Sequence, residues 1–599
     1  MRCLPVIFCR IASYKLLNNW CENAFFSILA KSLYMKFYFV FLLYAISLSA
    51  QDYPKEYFRS PLDIPLQLSG NFGELRSNHF HAGFDFRTQQ KEGFNVYAAA
   101  DGYVSRIKIS TYGYGKAIYV THPNGYTTVY GHLKKGAGAV EEYIKSNQYK
   151  NQSFDIELLP KPEDLPVKKG EMIAVSGNTG GSEGPHLHFE IRDTKTENII
   201  NPMYFGFDVL LPDSKKPVIS SLVVYPIDEN SVVNQSNVPV VIDLFPQQDG
   251  TYTTQKVTAT GRIGFGINAY DMDSNSFNRN GIFSAGSFLN GNPLFSYQFS
   301  TFHFDETRYV NALIDYPRFK RTGQRVQRLF MKNRFPLSLI KTDDEGMGTI
   351  TVAPNVAGVY RIEVSDFKGN KSTVSVPLEY AAQLVNTVQE SVKTPYFITP
   401  GKDYNFEKDN ISVFFPAGTF YEDFYLDFDV QENRLILNNK LIPVHTNFTI
   451  SLKDNSAISE AERKQTFIGT IDGKRIGYNA TTWKDGIYQT RVKAFGTYGL
   501  SKDTLAPVIS IAKPIEGKWI SSQKTLQLTI KDDLSGIKEF HGWLNGKWIL
   551  FEYDYKSRKI THFFDDNIAD EGRNELKVTV TDNVGNSAIF ETHFFISKK

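Results

Sequence analysis

Short alternating segments, each closed by glycine, proline or asparagine, constrain this chain more than any other feature of its sequence. Tyr103-Val104-Ser105-Arg106-Ile107-Lys108-Ile109 alternates, as does Ala117-Ile118-Tyr119-Val120. Pro123-Asn124-Gly125 then turns the chain into Tyr126-Thr127-Thr128-Val129-Tyr130. Period-two alternation bounded by turn residues specifies half-buried strands, and this pair reads as an antiparallel hairpin. Aromatic residues at 14%, with 43 Gly and 26 Pro, extend the pattern over the whole chain: many short strands and few long helices. At 599 residues the chain is too long for one hydrophobic core, so about three to five domains are expected. The expected fold class is mainly β: an antiparallel β-sheet domain followed by immunoglobulin-like β-sandwich modules.

Charge excludes some partners. The formal net charge is +2, and five Lys/Arg but only one Asp/Glu fall within residues 1–50, so the remainder carries 61 basic against 63 acidic residues. A near-neutral chain has no broad field for nucleic acid or anionic lipid. From Met35 the sequence runs through one lysine and an apolar stretch to small residues ending at Ala50, the order of a secretory signal. The apolar run is shorter than the ~20 residues that span a bilayer, so no integral membrane span is expected in the mature chain. Met35 is a candidate true start. Cys3, Cys9 and Cys21, the only cysteines, all precede the expected cleavage point. A mature chain without cysteine suits an oxidising exported compartment, periplasm or cell surface.

Residues 51–211 form the first expected domain, after an upstream segment and signal over 1–50. Six of the eleven histidines lie there: His79, His81, His122, His132, His186 and His188. Residues 137–150 read as helical, and a proline-rich stretch over 160–166 leads to another strand at Met172-Ile173-Ala174-Val175. Beyond Pro212 the texture changes to Asn, Ser, Asp and Thr, and two stretches resemble each other. Pro217-Val218-Ile219-Ser220 matches Pro507-Val508-Ile509-Ser510, and Val364-Ser365-Asp366-Phe367-Lys368-Gly369-Asn370 matches Val580-Thr581-Asp582-Asn583-Val584-Gly585-Asn586. Asn280-Gly281-Ile282 likewise echoes Ser535-Gly536-Ile537. A strand entered through X-Pro and a closing hairpin on Gly-Asn suit an immunoglobulin-like sandwich. The expected modules are 213–380 with an insertion, a β module of undefined type over 381–505, and 506–599.

Gly184-Pro185-His186-Leu187-His188-Phe189 carries the chemistry. Successive side chains of a strand alternate faces, so His186 and His188 share one, and zinc is the commonest common partner of two imidazoles. A hydrolytic zinc takes three protein ligands and keeps a fourth position for water. Two neutral imidazoles and one carboxylate leave the site at net +1, enough to acidify water and polarise a carbonyl. His81 and Asp85 become candidate ligands if the chain bends at Gly83. A proton acceptor and an oxyanion stabiliser are then needed within reach, and the remaining histidines can serve.

His81-Ala82-Gly83-Phe84-Asp85, Tyr130-Gly131-His132-Leu133 and Gly184-Pro185-His186-Leu187-His188-Phe189-Glu190, in this order, resemble the lysostaphin/LytM-type zinc endopeptidases that cut peptide cross-links in bacterial cell walls. The resemblance covers about residues 65–205. It implies a compact antiparallel sheet with an open groove, one zinc ion on His81, Asp85 and His188, and catalytic assistance from His132 and His186. It also implies peptidoglycan stem peptides or cross-bridges as substrate. Two departures stand out. The stretch between Leu133 and Val167 is longer than in compact family members and is expected to border the groove. Glu183 occupies a place where the family usually has a small hydroxyl residue, which bears on substrate contacts and not on zinc.

Other residues read more plainly. His79 flanks a candidate ligand, His122 sits beside a turn, and both are expected to be structural. Asp271, Asp273 and Asn275 read as Asx-turn residues, since no glycine or bidentate glutamate follows at calcium-loop spacing. The acidic pairs at 532–533 and 565–566 read as solvated turns, and Trp543 and Trp548 as sandwich packing around Asn545-Gly546. Three functions compete: an active peptidoglycan endopeptidase, a non-catalytic wall-binding or regulatory scaffold on a peptidase fold, and a zinc hydrolase for another bond such as an N-acyl group. Degenerate relatives lack one or more site residues, whereas all five positions are present here. The C-terminal β modules are candidate sites for wall polymer or a protein partner, or act as spacers. Contacts between domains are expected to be modest and polar, leaving 51–211 active alone.

Overall fold

The computed structural model describes residues 53–597 apart from 275–276, 343–344, 387–392, 438–439, 455 and 457–458. The signal expected at Met35–Ala50 and the three cysteines therefore lie outside the described residues. Strand accounts for 46% and helix for 8%, so the protein is mainly β, as its turn-rich sequence implies. Among the described residues no helix is long and apolar enough to cross a membrane.

The N-terminal part is an antiparallel sheet with a smaller partner sheet. Its strands are β1 (Leu68–Gly70), β2 (Phe84–Arg87), β3 (Asn95–Tyr97), β4 (Gly102–Ile109), β5 (Lys116–Thr121), β6 (Tyr126–Gly131) and β7 (Leu133–Gly136). Helix α1 (Gly138–Asn151) follows, then β8 (Ile156–Leu158), β9 (Pro166–Val167), β10 (Met172–Ser176), β11 (His186–Asp193) and β12 (Ile199–Ile200). The large sheet runs β1-β2-β11-β6-β5-β4-β8, and the small one β3-β10-β7. The hairpin expected from Pro123-Asn124-Gly125 is β5–β6, paired Ile118 with Tyr130 and Val120 with Thr128. Alternation explains the central strand: Leu187, Phe189 and Ile191 of β11 are fully buried, Phe189 packing on Phe86 and Phe207, which leaves the histidines on the other face.

The residues after Pro212 build three further β units. Between 213 and 380 a large sheet is centred on the long strand Val257–Tyr270. Two five-stranded sheets enclose an apolar core of Ile411, Phe415, Phe448 and Leu452 within 404–502. Two four-stranded sheets enclose Leu526, Leu528, Val578 and Val580 within 508–596.

The contacts these units make with the first part differ from the modest polar ones expected. Thr301–Phe302 adds a strand to the large N-terminal sheet, pairing Ile199 with Phe302 and Ile200 with Thr301. Phe302 stacks on Phe72 at 4.8 Å, and Phe299 meets Phe80 at 5.4 Å. β12 offers an open edge and the Phe72 and Phe80 rings need cover, so the neighbouring unit completes both sheet and core.

The long stretch after Leu133 also departs from expectation: none of residues 134–166 lines the groove. Val140, Ile144 and Gln148 bury one side of α1 against β7 and β10. The other side offers Lys145 to Asp565 (2.6 Å), Tyr149 to Asp566 (2.5 Å) and the Tyr149 ring to Trp548 (5.3 Å). Asp565 and Asp566 lie in the expected turn, with Asp565 exposed, and both also serve this contact, while Trp548 packs outward on Tyr149 as well as opposite Trp543.

A fragment ending at 211 loses Phe299 and Phe302 from its core, and each buried aromatic contributes about 1.5–3 kcal/mol. Residues 51–211 should therefore melt several degrees below residues 51–380 and aggregate more readily in scanning calorimetry. Equal Tm values for the two fragments would show that the aromatic contact contributes nothing.

Candidate metal centre

Strand register brings the candidate ligands together. His188 of β11 lies opposite Asp85 of β2 on one side and Gly131 of β6 on the other. Both neighbours suit a crowded position. A Cβ on Gly131 would sit 3.3 Å from that of His188, and one on Gly83, just before β2, would fall 2.2 Å from the Phe189 carbonyl oxygen. Glycine at 83 lets the chain pass close over β11 and carry His81 back towards Asp85. His81, Asp85 and His188 are all buried.

The donor atoms face one another. His81 Nε2 lies 3.0 Å from Asp85 Oδ1 and 3.2 Å from His188 Nδ1, and His188 Nδ1 lies 2.9 Å from Asp85 Oδ1. With a cation among these donors, the partners on the far side of each ring assign the remaining protons. His81 Nδ1 is 2.8 Å from the Asn71 carbonyl, which only accepts, so this nitrogen donates and Nε2 keeps its lone pair. His188 Nε2 is 2.9 Å from Glu190 Oε1 and donates to it, leaving the Nδ1 lone pair. Two neutral imidazoles and a carboxylate thus aim three lone pairs at one point, an arrangement that repels unless a cation sits among them. Ligands about 2.0–2.1 Å from a tetrahedral zinc lie roughly 3.3–3.4 Å apart, close to the separations found. The donor set fits the metal.

Asp85 Oδ2 accepts from Arg76 at 3.0 Å, so both its oxygens are held. Burial alone would raise the Asp85 carboxyl, but His81, His186 and His188 hold it well below the usual range. Without a cation, burial opposes a charged His188, yet its bonds to Asp85 and Glu190 outweigh that and push it up to about 9, so a proton joins Nδ1 to Asp85 and a binding metal displaces it.

His132 and His186 stand beside this group, outside the mutually close set of three. Their ring centroids are 4.7 Å apart. His132 Nδ1 donates to the Thr179 carbonyl at 2.8 Å, and His186 Nδ1 to the Gly184 carbonyl at 2.8 Å. His132 therefore presents an unprotonated Nε2, and His186 Nε2 lies 3.3 Å from Asp85 Oδ1. Burial, with His186 and His188 nearby, pushes His132 down to about 3, so it is neutral near neutral pH. Its backbone adopts φ 57°, a left-handed conformation unusual outside glycine, which turns the side chain out of β6 into the groove.

Sequence reasoning missed a layer behind these residues. Glu190, fully buried, bonds His188, the Tyr114 hydroxyl and Arg192, the last through Nε at 2.7 Å and Nη2 at 2.6 Å. Burial would raise its carboxyl, but Arg192, with help from His188 and Tyr114, holds it at about 2. The signal was available in the alternation of β11, where residues 186, 188, 190 and 192 share one face. Tyr114, Asn71 and Thr179 carried no such pattern. Of the two histidines expected to be structural, His122 bonds the Asp101 carbonyl and Thr128 hydroxyl, both at 2.8 Å, away from the metal group. His79 lines the groove without joining that group.

The groove over these residues has a volume of about 1530 Å³. Arg76, Arg87, Arg106, Lys108 and Arg192 line it, and Phe304 and Arg325 reach its edge from the 213–380 unit. Glu183, the departure from the family pattern, lies on its rim.

Residues 79–149 and 157–202 match the model of peptidase family M23, and residues 395–503 match that of a Zu5-like domain. An uncharacterized metalloprotease of Haemophilus influenzae is 35% identical over 142 residues, which are 23% of this chain and 25% of that protein. The peptidoglycan DD-endopeptidase ShyC of Vibrio cholerae is 30% identical over 142 residues, 23% and 27% of the two chains. The DD-carboxypeptidase/endopeptidase Mpg of Neisseria meningitidis is 34% identical over 118 residues, 20% and 21% of the two chains. The match thus spans about a quarter of these relatives' length. The chain carries a LytM-type peptidase M23 domain.

Glu190→Gln keeps the shape but removes the charge that orients His188, so metal affinity should fall about 10–100-fold. Equilibrium dialysis would show this, and unchanged affinity would mean Asp85 alone orients the ring. His122 supplies a pH prediction. Burial pushes it down to about 4 from the ordinary 6.5, so the unfolded chain takes up its proton first. Its contribution is complete above pH 6.5 and is lost as pH falls towards 4, about 2 kcal/mol by pH 5. Urea midpoints at pH 7.5 and 5 should show a smaller loss for His122→Asn than for wild type.

Proposed function

We infer that this protein is an exported zinc-dependent endopeptidase that hydrolyses peptide cross-links of bacterial peptidoglycan. The observation that carries this reading is the convergence of the His81, Asp85 and His188 lone pairs beside two further histidines in an open groove. His81 Nε2, Asp85 Oδ1 and His188 Nδ1 are the proposed zinc ligands, one ion per chain. When bound, zinc supplies the Lewis acidity that polarises a scissile carbonyl and acidifies water near neutral pH.

The chain's own residues do the rest. Neutral His132, fixed by Thr179, has its Nε2 free to take a proton from attacking water or stabilise charge on the carbonyl oxygen. His186, fixed by Gly184, shares this work and can return a proton to the leaving amine. Glu190 and Asn71 hold the ligand imidazoles in the tautomers that face the ion. The basic lining of the groove favours peptides bearing free carboxylates, as peptidoglycan stem peptides do. The same reading divides the chain into a signal over 1–50, a peptidase domain at 51–211, immunoglobulin-like modules at 213–380 and 506–599, and a separate β module at 381–505.

Asp85→Ala leaves two ligands and should lose most of the zinc, whereas stoichiometric zinc in that variant would overturn the ligand assignment. His132→Ala and His186→Ala should each keep zinc and lower turnover on the order of 10²–10⁴-fold. Mass spectrometry of muropeptides from purified sacculi, digested with and without chelator, reads the activity. New chain ends that vanish with chelator support the peptidase reading. Undigested but tightly bound sacculi would favour the non-catalytic wall-binding scaffold.

A further inference from the structure

The stretch expected to hold only Asx turns contains a different arrangement. Asn275 lies outside the described residues. Asp271 closes the strand Val257–Tyr270, and its carboxylate meets those of Asp213 and Asp366, one oxygen of each lying within 4.8 Å of the others. Asp213 comes from the segment entering Val218–Pro226, and Asp366 from the turn after Ala357–Ser365. Asp271 is 6% exposed, and its Oδ1 is buried without accepting a hydrogen bond. All three aspartates and Asp273 line a cavity of about 30 Å³, closed on its other side by Asn71, Phe72 and Asn201 of the peptidase domain. Burial, with Asp213 and Asp366 close by, pushes the Asp271 carboxyl up to about 8. Of two nearby ammonium groups, Lys215 donates to the Asp273 carbonyl at 2.9 Å, and Lys368, which lines the cavity, is directed to the carbonyl and carboxylate of Asp208.

The molecule contains its own control. The two modules that resemble each other in sequence place a second aspartate triad at corresponding positions: Asp503 four residues before Pro507, Asp532, and Asp582 four before Asn586. There, backbone amides satisfy the carboxylates. Asp532 Oδ1 accepts from Leu534 at 3.1 Å and Gly536 at 2.6 Å, and Asp503 Oδ2 from Ser535 at 3.0 Å. In the first module the equivalent Gly281 lies ten positions after Asp271, where Gly536 lies four after Asp532. Asp213 Oδ1 still accepts from the Lys215 amide at 3.0 Å and the Ser274 hydroxyl at 3.2 Å, and Asp366 accepts from Asn370, so Asp271 is the member left short of a donor. Within this triad Asp271 Oδ1 is buried without a donor, and Asp271 lines the cavity.

We propose that the cavity between Asp213, Asp271 and Asp366 binds a calcium ion at the join of the peptidase domain and the module that follows it. A set of carboxylate oxygens with no nitrogen or sulfur selects a hard cation. Calcium–oxygen bonds of 2.3–2.6 Å allow ligand oxygens up to roughly 5 Å apart, and one oxygen from each of the three aspartates meets that condition. Magnesium prefers to keep several waters, for which the cavity has no room. The site is independent of the zinc centre and of the peptidase reading.

The test is calorimetric titration of the zinc-loaded full chain with calcium chloride. One calcium per chain should bind at this site, with a dissociation constant on the order of 10⁻⁵–10⁻³ M. Asp271→Asn and Asp366→Asn should each weaken it at least about tenfold, and Asp532→Asn should leave it unchanged. Asp366 also holds its turn through Asn370, so Asp271→Asn is the decisive variant. With calcium removed by EGTA, Asp271→Asn should melt no lower than wild type, because a neutral amide replaces a carboxyl that burial already keeps largely protonated near neutral pH. Absence of calcium binding at millimolar concentrations, binding untouched by Asp271→Asn, or a lower Tm of that variant in EGTA would each overturn the proposal.

Discussion

Antiparallel pairing of Asp85 with His188 decides what the rest of this domain has to be. A slip of one residue in that ladder would turn both side chains to the apolar face and send Phe86 or Phe189 into the groove. With the register as it is, His188 Nδ1 and Asp85 Oδ1 stand 2.9 Å apart in a buried position, and every neighbour is shaped by that closeness. Gly131 leaves room for the ring, Gly83 brings His81 over the sheet, and Asn71 and Glu190 fix the two tautomers. A fully buried glutamate costs free energy unless paired. Arg192 and Tyr114 offset the cost, and the result is a carboxylate that can hold His188 in place.

The groove belongs to more than one unit of the chain. Phe304 and Arg325, far along the sequence, form its edge, and the Arg192 guanidinium lies 4.6 Å from the Phe304 ring. Lys556 of the C-terminal unit donates to the carbonyl of Ser182, a groove-lining residue, at 3.1 Å and to that of Asn178. Ser182 in turn contacts His186 Nδ1 at 3.1 Å. The C-terminal unit therefore braces the loop that orients one of the two flanking histidines, and Lys116 joins the same unit through Glu552 at 2.8 Å. Module packing and site geometry are parts of one structure.

Much of this was legible in the sequence wherever local rules govern. The β5–β6 hairpin follows from its Pro-Asn-Gly turn, the helix after Gly138 was expected within a residue of its bounds, and the shared face of His186 and His188 is a consequence of strand period. His81 and Asp85 could be nominated because glycine between them permits a bend. Long-range pairing was not legible. Nothing local to Asn71 says that its carbonyl meets His81, or that Phe302 completes the sheet of a domain a hundred residues earlier. The insert after Leu133 was assigned to the groove from its position in sequence, while its partners Asp565, Asp566 and Trp548 lie at the far end of the chain. Asp271 read as a turn residue because its companions, Asp213 and Asp366, are equally remote.

The central claim is that three lone pairs, from His81 Nε2, Asp85 Oδ1 and His188 Nδ1, share one zinc ion. Anomalous X-ray diffraction on either side of the zinc absorption edge tests it directly. The account predicts a single strong peak about 2.0–2.2 Å from each of the three atoms, with His132 and His186 outside bonding distance. A peak bonded to His186 in place of His188, or no zinc peak at this position in zinc-loaded crystals, would contradict it.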